Sequence, residues 1–312
     1  MKEGMRNTSV GGPLMGIGYT NCVRGVAALV IVVFHVLIHF DINRVFNLPG
    51  SVAVAAFLFL SGYGINESFK RHALSHFWRK RLARVVVPYW IFLGVLTLIK
   101  RDTTPRAFLL DATFVDSEFW FVACLMHWYL AYWVGRRLGG RWLWVVLVAF
   151  GLFSLNFLQQ LEAEQSASFL LGVCCSEHIA RVRSCGRRTL AWWALGGLAL
   201  GMALMLFKEI PAVHAFKGTL PYHYILLLIK MPLAVPLLLL PVFLPVLLRS
   251  RLLHLCGISS LELYLVHLPL SQAMEATPQW FVGFVVLTVS LTWMMYQLDT
   301  RVVKPLIQHG LR

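Results

Sequence analysis

The stretch that decides the fold is residues 22–40, CVRGVAALVIVVFHVLIHF. It is long and apolar enough to cross a membrane, because a bilayer core needs about 20 helical residues. Arg24 and His35 interrupt it and lie eleven residues apart. At about 100° and 1.5 Å per residue, both fall on one helix face, roughly 16 Å apart along the axis. A titratable group at that depth is costly unless it faces a partner or a water-filled cavity, so this face is the first functional candidate.

The composition of the whole chain agrees with this stretch. Hydrophobic residues make up 58% of the 312 residues, charged residues 13%, and the mean hydropathy is +0.70. A soluble domain is typically about 25% charged. The sequence therefore predicts an all-α, polytopic membrane protein with about ten transmembrane helices around a polar channel. The predicted spans are residues 22–40, 50–66, 84–100, 119–136, 142–158, 165–180, 190–207, 224–248, 254–273 and 279–297.

Two of these spans are unusual. The 165–180 segment is short and polar at both ends. The 224–248 segment carries Pro232, Pro236, Pro241 and Pro245. Because proline lacks a backbone N–H and clashes with the preceding turn, we expect this long segment to be kinked or broken.

The distribution of positive charge predicts the orientation in the membrane. With a cytoplasmic N-terminus, most of the 28 Lys and Arg residues fall in cytoplasmic segments, as the positive-inside rule requires. We expect a multi-pass membrane protein with both termini on the cytoplasmic side. The net charge of +14 then reflects orientation and contact with anionic membrane lipids, and it requires no nucleic-acid partner.

The chain divides into three predicted parts. Residues 1–21 form a cytoplasmic N-terminal segment, residues 22–298 a transmembrane domain and residues 299–312 a cytoplasmic tail. Residues 1–20 have neither an apolar core nor a small-residue cleavage pattern, so we expect no cleaved signal peptide and an uncleaved anchor in the first span. No internal repeat is visible.

A basic cluster precedes the third span. Arg81 and Arg84 are three residues apart, hence neighbours on one helical face. Paired guanidiniums suit the phosphates of a nucleotide-type ligand. They are also what an ordinary positive-inside anchor would contain, and the spacing alone favours the anchor.

Other polar residues lie within the spans or at their outer ends. Ser260, Tyr264 and His267 form one polar stripe on an apolar helix, which fits either packing or a site. Lys230 either pairs with a carboxylate or extends to a surface. Trp120 fits a sugar-binding wall, although its position favours interfacial anchoring. The remaining candidates for contacts at the outer face are His39, Asp41, Asp111, Asp116 and Glu118.

Six segments together resemble one known family, the acyltransferase family 3 of integral membrane acyltransferases. RGVAALVIVVFH at 24–35 resembles its Arg-x10-His signature, and FLFLSGYGI at 57–65, which contains Ser61, resembles its second-helix segment. FWRKRLARVVVPYW at 77–90 is similar to its Arg-x-x-Arg segment. The other matches are EFWFVACLMHWYL at 118–130, FLLGV at 169–173 and GISSLELYLVHLPL at 257–270. They cover nearly the whole chain in the family's order.

The resemblance implies transfer of an acyl group, usually acetyl, from cytoplasmic acyl-CoA to a hydroxyl of an extracytoplasmic saccharide or glycolipid. Acetyl-CoA would be the cosubstrate, with no metal, and proteins of polysaccharide synthesis are expected partners. The expected location is the bacterial inner membrane. His35 would be the base or a transient acyl carrier, acting with Arg24. Arg24, Arg81 and Arg84 would bind CoA. Residues expected to contact the acceptor are Ser61, Glu118, Trp120, Tyr264 and His267.

The chain departs from the family pattern at two positions. Asn21 stands where the family usually has an Asp, three residues before Arg24, and Val303 stands before Lys304 where an acidic residue is common. An amide can hydrogen-bond a guanidinium but cannot neutralise it. The chain also ends about 15 residues after its last predicted span. We therefore expect a stand-alone form without the C-terminal esterase-like domain of many relatives.

Two other classes of function use the same features. A transporter or flippase of an envelope-polysaccharide pathway could employ His35 as a proton relay, although many transporters show an internal repeat. A scaffold of a polymer-synthesis complex would need neither His35 nor Arg24.

Overall fold

A computed structural model describes residues 13–39, 47–101, 103–273 and 277–309, and within these ranges every regular element is helical. The helices are α1 (Ile17–His39), α2 (Asn47–His72), α3 (Phe77–Arg81), α4 (Val87–Lys100), α5 (Pro105–Ala112), α6 (Trp120–Leu138), α7 (Gly140–Phe157), α8 (Gln160–Ala163), α9 (Ser168–Glu177), α10 (Ile179–Ser184), α11 (Arg187–Glu209), α12 (Pro211–His214), α13 (Leu220–Phe243), α14 (Arg251–Ile258), α15 (Ser260–Ala273), α16 (Pro278–Leu298) and α17 (Lys304–His309).

The number of membrane-spanning helices is smaller than the ten expected. In the described part of the chain, seven helical stretches are long and apolar enough to span, or eight if a bent pair counts as one. That pair is α14 and α15, which meet at 81° within the predicted span 254–273. The 165–180 segment yields only the ten residues of α9, about 15 Å of helix, or half a bilayer core. The all-helical membrane architecture is confirmed, but the count of about ten is not.

Helix α13 continues through three of the four prolines of the predicted 224–248 segment. Pro232, Pro236 and Pro241 lie inside it, and the helix ends at Phe243, before a 3₁₀ turn at Pro245–Arg249. The expected break therefore falls at the last proline.

Two reciprocal glycine contacts fix the helices that carry the predicted motifs. A Cβ on Gly25 would lie 1.9 Å from the Leu253 carbonyl oxygen, and one on Gly257 would lie 1.9 Å from that of Asn21. Helices α1 and α14 therefore touch backbone to backbone. Gly62 and Gly172 do the same between α2 and α9, at 2.1 and 2.0 Å from the opposing carbonyls. Such close approaches permit only glycine and are typical of helix packing in membranes.

A polar network joins α2, α6 and α9 near the C-terminal end of α2. Asn66 is fully buried, and its amide donates to Ser176 Oγ at 3.0 Å and to Glu177 Oε1 at 2.9 Å. Its carbonyl oxygen accepts from Tyr132 Oη at 2.7 Å and from Arg136. Arg136 also pairs with Glu177 at 2.9 Å. Because each of these groups has a partner, the network holds three helices in place; we call it the Asn66 network.

Candidate functional site: an ionisable cavity along helix α2

A cavity of about 1770 Å³ runs beside α2. Gly50 and Arg71, at opposite ends of that helix, both line it, and 21 residues of helix correspond to about 30 Å. The cavity thus extends over the thickness of a bilayer core. All nine residues predicted for the site line this one cavity: Arg24, His35, Ser61, Arg81, Arg84, Glu118, Trp120, Tyr264 and His267.

Two histidines meet on the cavity wall. His35 on α1 and His267 on α15 have ring centroids 5.0 Å apart in an edge-to-face arrangement, with His35 Nδ1 3.2 Å from His267 Nε2. His267 is buried, whereas His35 is half-buried. The sequence predicted both residues for the site but assigned His267 to the acceptor. The geometry also makes it the direct neighbour of His35.

Backbone carbonyls define the protonation of this pair. His267 Nδ1 lies 2.8 Å from the Leu263 oxygen, and His35 Nδ1 lies 2.9 Å from the Ile31 oxygen. A carbonyl only accepts, so we assign the N–H to Nδ1 in both rings. His267 Nε2 then accepts from His35 Nδ1–H. No described residue hydrogen-bonds His35 Nε2, so its lone pair is available to a ligand.

Arg24 lies on the same cavity without a carboxylate partner among the described residues. Its guanidinium donates to the Leu60 oxygen at 3.4 Å and packs near Gly64. Asn21, whose amide replaces the family's usual carboxylate, lines the cavity but makes no described hydrogen bond to Arg24. Since an unpaired charge within a membrane protein is costly, Arg24 is a strong candidate to bind an anionic ligand.

Arg81 and Arg84 follow α2 at one end of the cavity. The Arg81 guanidinium lies 4.4 Å from the centre of the Phe77 ring and 5.6 Å from that of Tyr129. A π-helical turn, Leu82–Val86, follows Arg81, so the expected α-helical spacing of the two arginines is not kept. Both nevertheless line the cavity, and no carboxylate in the described part of the chain pairs with either. Such π-turns are frequent at functional sites.

Further basic residues make this the basic end of the cavity. The Lys and Arg residues lining it there, in addition to Arg81 and Arg84, are Arg71, Lys80, Arg183 and Lys304. The basic end is defined by these six residues. Arg24 is level with Leu60 and Gly64 of α2, whereas Phe34, beside His35, lies against Gly50. The pair of histidines is therefore farther from the basic end than Arg24 is.

The opposite end, called here the far end, is lined by Glu118, Trp120, Gln160, Glu164, Lys208, His214, Lys217 and Lys230. Glu118 is exposed and pairs with Lys100 at 2.8 Å. Lys230 pairs with Glu164 at 2.8 Å, with both side chains buried. Of the two readings of Lys230, pairing with a carboxylate is therefore confirmed.

Sequence reasoning did not assign Glu164 or Gln160 to the site. Gln160 begins the four-residue helix α8 and Glu164 follows it, in a segment without hydrophobic periodicity. Glu164 is recognisable as a site residue only because the fold places Lys230 beside it. Gln160 Nε2 donates to Glu164 at 2.7 Å, and Gln165 Nε2 donates to the Ser51 oxygen at 3.0 Å. These contacts fix the segment over the N-terminal end of α2.

The remaining predicted contacts differ in availability. The Ser61 hydroxyl donates to the Phe57 oxygen of its own helix at 2.9 Å. Tyr264 has a buried hydroxyl without a partner in the described chain. Asp111 accepts a hydrogen bond from Tyr89 and does not line the cavity. Asp41 lies outside the described residues.

The fold and the cavity define a polytopic, all-helical membrane protein with an ionisable interior site. The family model for the acyltransferase domain of acyltransferase family 3 matches residues 17–297. This chain therefore belongs to acyltransferase family 3, and it is a membrane acyltransferase. The comparison confirms the resemblance seen in the six sequence segments. No match was found among the curated proteins or the solved structures.

Proposed function

We propose that this protein transfers an acyl group, acetyl in the simplest case, from cytoplasmic acyl-CoA to a hydroxyl of an extracytoplasmic saccharide or glycolipid. The observation that carries the proposal is the contact between His35 and His267, on a cavity wall between an arginine-rich end and a far end with carboxylate, amide and aromatic side chains.

The donor would enter from the basic end. Arg81, Arg84 and Arg24 supply guanidiniums that have no described carboxylate partner, and guanidiniums bind phosphate oxygens bidentately. Lys and Arg in membrane proteins concentrate on the cytoplasmic side, which is where CoA is found. This supports an inner-membrane protein with both termini inside and the basic end facing the cytoplasm.

His35 would then act at the thioester. In one route Nε2 removes the proton of the acceptor hydroxyl, the oxygen bonds to the thioester carbonyl carbon, the C–S bond breaks, and the CoA thiolate leaves and takes up the proton. In the other, Nε2 attacks the carbonyl carbon, the C–S bond breaks and the CoA thiolate leaves. The acceptor oxygen then takes the acyl group from Nε2, and the hydroxyl proton goes to the thiolate. Both routes need a lone pair on Nε2.

His267 would be a positioning residue for this chemistry. By accepting the Nδ1–H of His35 it holds the ring and stabilises the tautomer with a basic Nε2, while the Ile31 carbonyl does the same from within α1. In the protonated state of His35, the same contact distributes part of the developing charge.

The acceptor would approach from the far end. Trp120 offers an aromatic face for sugar C–H groups, and Glu118, Glu164 and Gln160 offer hydrogen-bond acceptors for hydroxyls. Lys230 adds a donor beside Glu164. This arrangement supports a polar, hydroxyl-rich acceptor rather than a lipid chain alone.

A flippase of the same polysaccharide pathway is the second candidate. The observation that favours it is the length of the cavity together with the buried Lys230–Glu164 pair on its wall, because intramembrane ion pairs often mark transport paths.

Sealed inside-out membrane vesicles carrying the full chain distinguish the two. Acetyl-labelled acetyl-CoA is added outside the vesicles, where the cytoplasmic face is exposed, and label is measured in the carbohydrate fraction of the lumen. We expect label there, and none with His35→Ala. Two results together would favour the flippase and contradict the acyltransferase reaction proposed here. Glycan would move into the lumen when acetyl-CoA is absent, and it would carry no label when acetyl-CoA is present.

A further inference from the structure

Three oxygen atoms on the cavity wall lack a hydrogen-bond partner among the residues that the structure describes. They are Glu262 Oε2, the Tyr264 hydroxyl and Asp299 Oδ1, and all three residues line the cavity. Glu262 is 4% exposed and Asp299 is 3% exposed. A buried carboxylate oxygen without a donor costs free energy, so the oxygens of Glu262 and Asp299 point to a ligand that supplies the missing donor.

The depth of Glu262 defines which part of a ligand would meet it. Glu262 precedes His267 on α15 by five residues, about 7.5 Å of helix. Arg24 precedes His35 on α1 by eleven residues, or about 16 Å. Because His35 and His267 are in contact, Glu262 lies roughly halfway between the histidines and the level of Arg24.

Asp299 lies closer to the basic end. Its other carboxylate oxygen pairs with Lys304, and it begins a π-helical turn, Asp299–Val303, that packs against α4. The following helix, α17, contacts the π-helical turn that carries Arg84. The two carboxylates therefore continue the wall from the histidine pair toward the arginines.

The chemistry of this wall identifies a class of ligand group. A carboxylate only accepts hydrogen bonds, so the facing group must carry N–H or O–H. It must also lie between a phosphate held by guanidiniums and a reactive group beside His35. The pantetheine arm of an acyl-CoA has this order: diphosphate, hydroxyl, two amide N–H groups and the thioester.

We infer that the free carboxylate oxygens of Glu262 and Asp299 accept hydrogen bonds from the amide N–H and hydroxyl groups of the donor's pantetheine arm. This inference rests on the proposed function, since it assumes acyl-CoA as the donor. It adds a determinant of specificity. The protein recognises the pantetheine arm as well as the phosphates, and so distinguishes acyl-CoA from a simple thioester or a nucleotide alone.

The test compares acetyl-CoA with two analogues in which one amide N–H of the arm is replaced by an ester oxygen. Thioester cleavage by the purified full chain is measured with each. We expect the wild type to lose roughly 10- to 100-fold in kcat/KM on the analogue that lacks the N–H facing Glu262. With acetyl-CoA, the kcat/KM of Glu262→Met should fall below the wild-type value by a similar factor. Changing from acetyl-CoA to that analogue should then lower the kcat/KM of this variant by less than about threefold, because the contact is already absent.

A matched control is Glu162→Met. Glu162 is also a buried glutamate with an unpartnered Oε2 in the described chain, but it does not line the cavity. We expect its kcat/KM ratio between acetyl-CoA and the analogues to equal that of the wild type.

Two results would overturn the inference while leaving the proposed function intact. In the first, the wild type cleaves acetyl-CoA and both analogues equally well. In the second, Glu262→Met discriminates between acetyl-CoA and the analogues by the same kcat/KM ratio as the wild type. If Glu262→Met does not fold, the wild-type analogue series and Glu262→Gln, which keeps one acceptor oxygen, decide the question. If folded wild type binds acetyl-CoA without cleaving it, the same comparisons are made on Kd. Absence of both binding and cleavage would overturn the proposed function and this inference.

Discussion

The Asn66 network and the cavity wall are two polar regions of the same helix bundle, both in contact with α2, and they differ in how their charges are satisfied. In the network, Asn66, Tyr132, Arg136 and Glu177 all have partners. On the wall, Arg24 and Glu262 have no oppositely charged partner in the described chain. Buried polar groups that are fully hydrogen-bonded rigidify a fold, whereas unpaired ones cost stability unless a ligand supplies the partner. The network is thus structural, and the wall is where the ligand is expected.

The largest expected effect concerns the Lys230–Glu164 pair, which lies on the wall but is satisfied like the network. Lys230→Met leaves the buried Glu164 carboxylate with only Gln160 as its described donor, which should cost about 3–5 kcal/mol of stability. Thermal unfolding in detergent measures this. The double variant Lys230→Met/Glu164→Gln should recover much of the loss. An unchanged midpoint for the single variant would move this pair into the ligand-binding class.

Arg136→Met tests the network itself. It removes the partner of Glu177 and one donor to Asn66, and because the pair is partly exposed we expect a loss of about 2–3 kcal/mol. The KM for acetyl-CoA in the folded fraction should stay within about twofold of wild type, since none of these atoms belongs to the proposed binding site. A large rise in KM with unchanged stability would break the comparison.

Arg24→Met should behave in the opposite way. Removing an unpaired cation should leave the thermal midpoint unchanged or raise it, because no described carboxylate loses its partner. The KM for acetyl-CoA should rise roughly 10- to 100-fold, the usual effect of losing a charge-assisted hydrogen bond. Isothermal titration with CoA checks that the loss is in binding. A destabilised Arg24→Met with unchanged KM would contradict this account of the wall.

The smallest expected effect is that of Ser61→Ala. Its hydroxyl lines the cavity but donates to the Phe57 oxygen, so acetyl transfer should change by less than about threefold. Initial rates at saturating donor and acceptor measure it. A loss above tenfold would support Ser61 as a substrate contact.

The sequence predicted which residues line the cavity better than it predicted which of them contact each other. Eleven-residue spacing placed Arg24 and His35 on one face of α1, and both line the cavity, because helical periodicity is local. The contact of His35 with His267 joins residues 232 apart in sequence, and no periodicity reports it. The glycine contact between α1 and α14 helps to create it, since it fixes where α15 begins.

Three structural features had no sequence signal of this kind. The bend at Ser259 divides an apolar run that contains no proline before it. The π-helical turn at Leu82–Val86 changes the spacing of Arg81 and Arg84; Pro88, just after it, predicts an irregularity in the helix but not this change of spacing. The Lys230–Glu164 pair depends on a short segment, α8, whose position is determined by tertiary contacts. Tertiary packing, which single-sequence patterns do not record, decided the bend and the ion pair.

The most direct test of the central claim is acetyl-CoA thioester cleavage by the purified full chain, comparing wild type, His35→Gln and His127→Gln. His127 is also half-buried in the helix bundle but does not line the cavity, so it controls for loss of any interior histidine. We predict that His35→Gln loses roughly 10²- to 10⁴-fold in rate while still binding CoA, and that His127→Gln stays within about threefold of wild type. A folded His35→Gln that cleaves acetyl-CoA at the wild-type rate would contradict the assignment of this cavity as the site of acyl transfer.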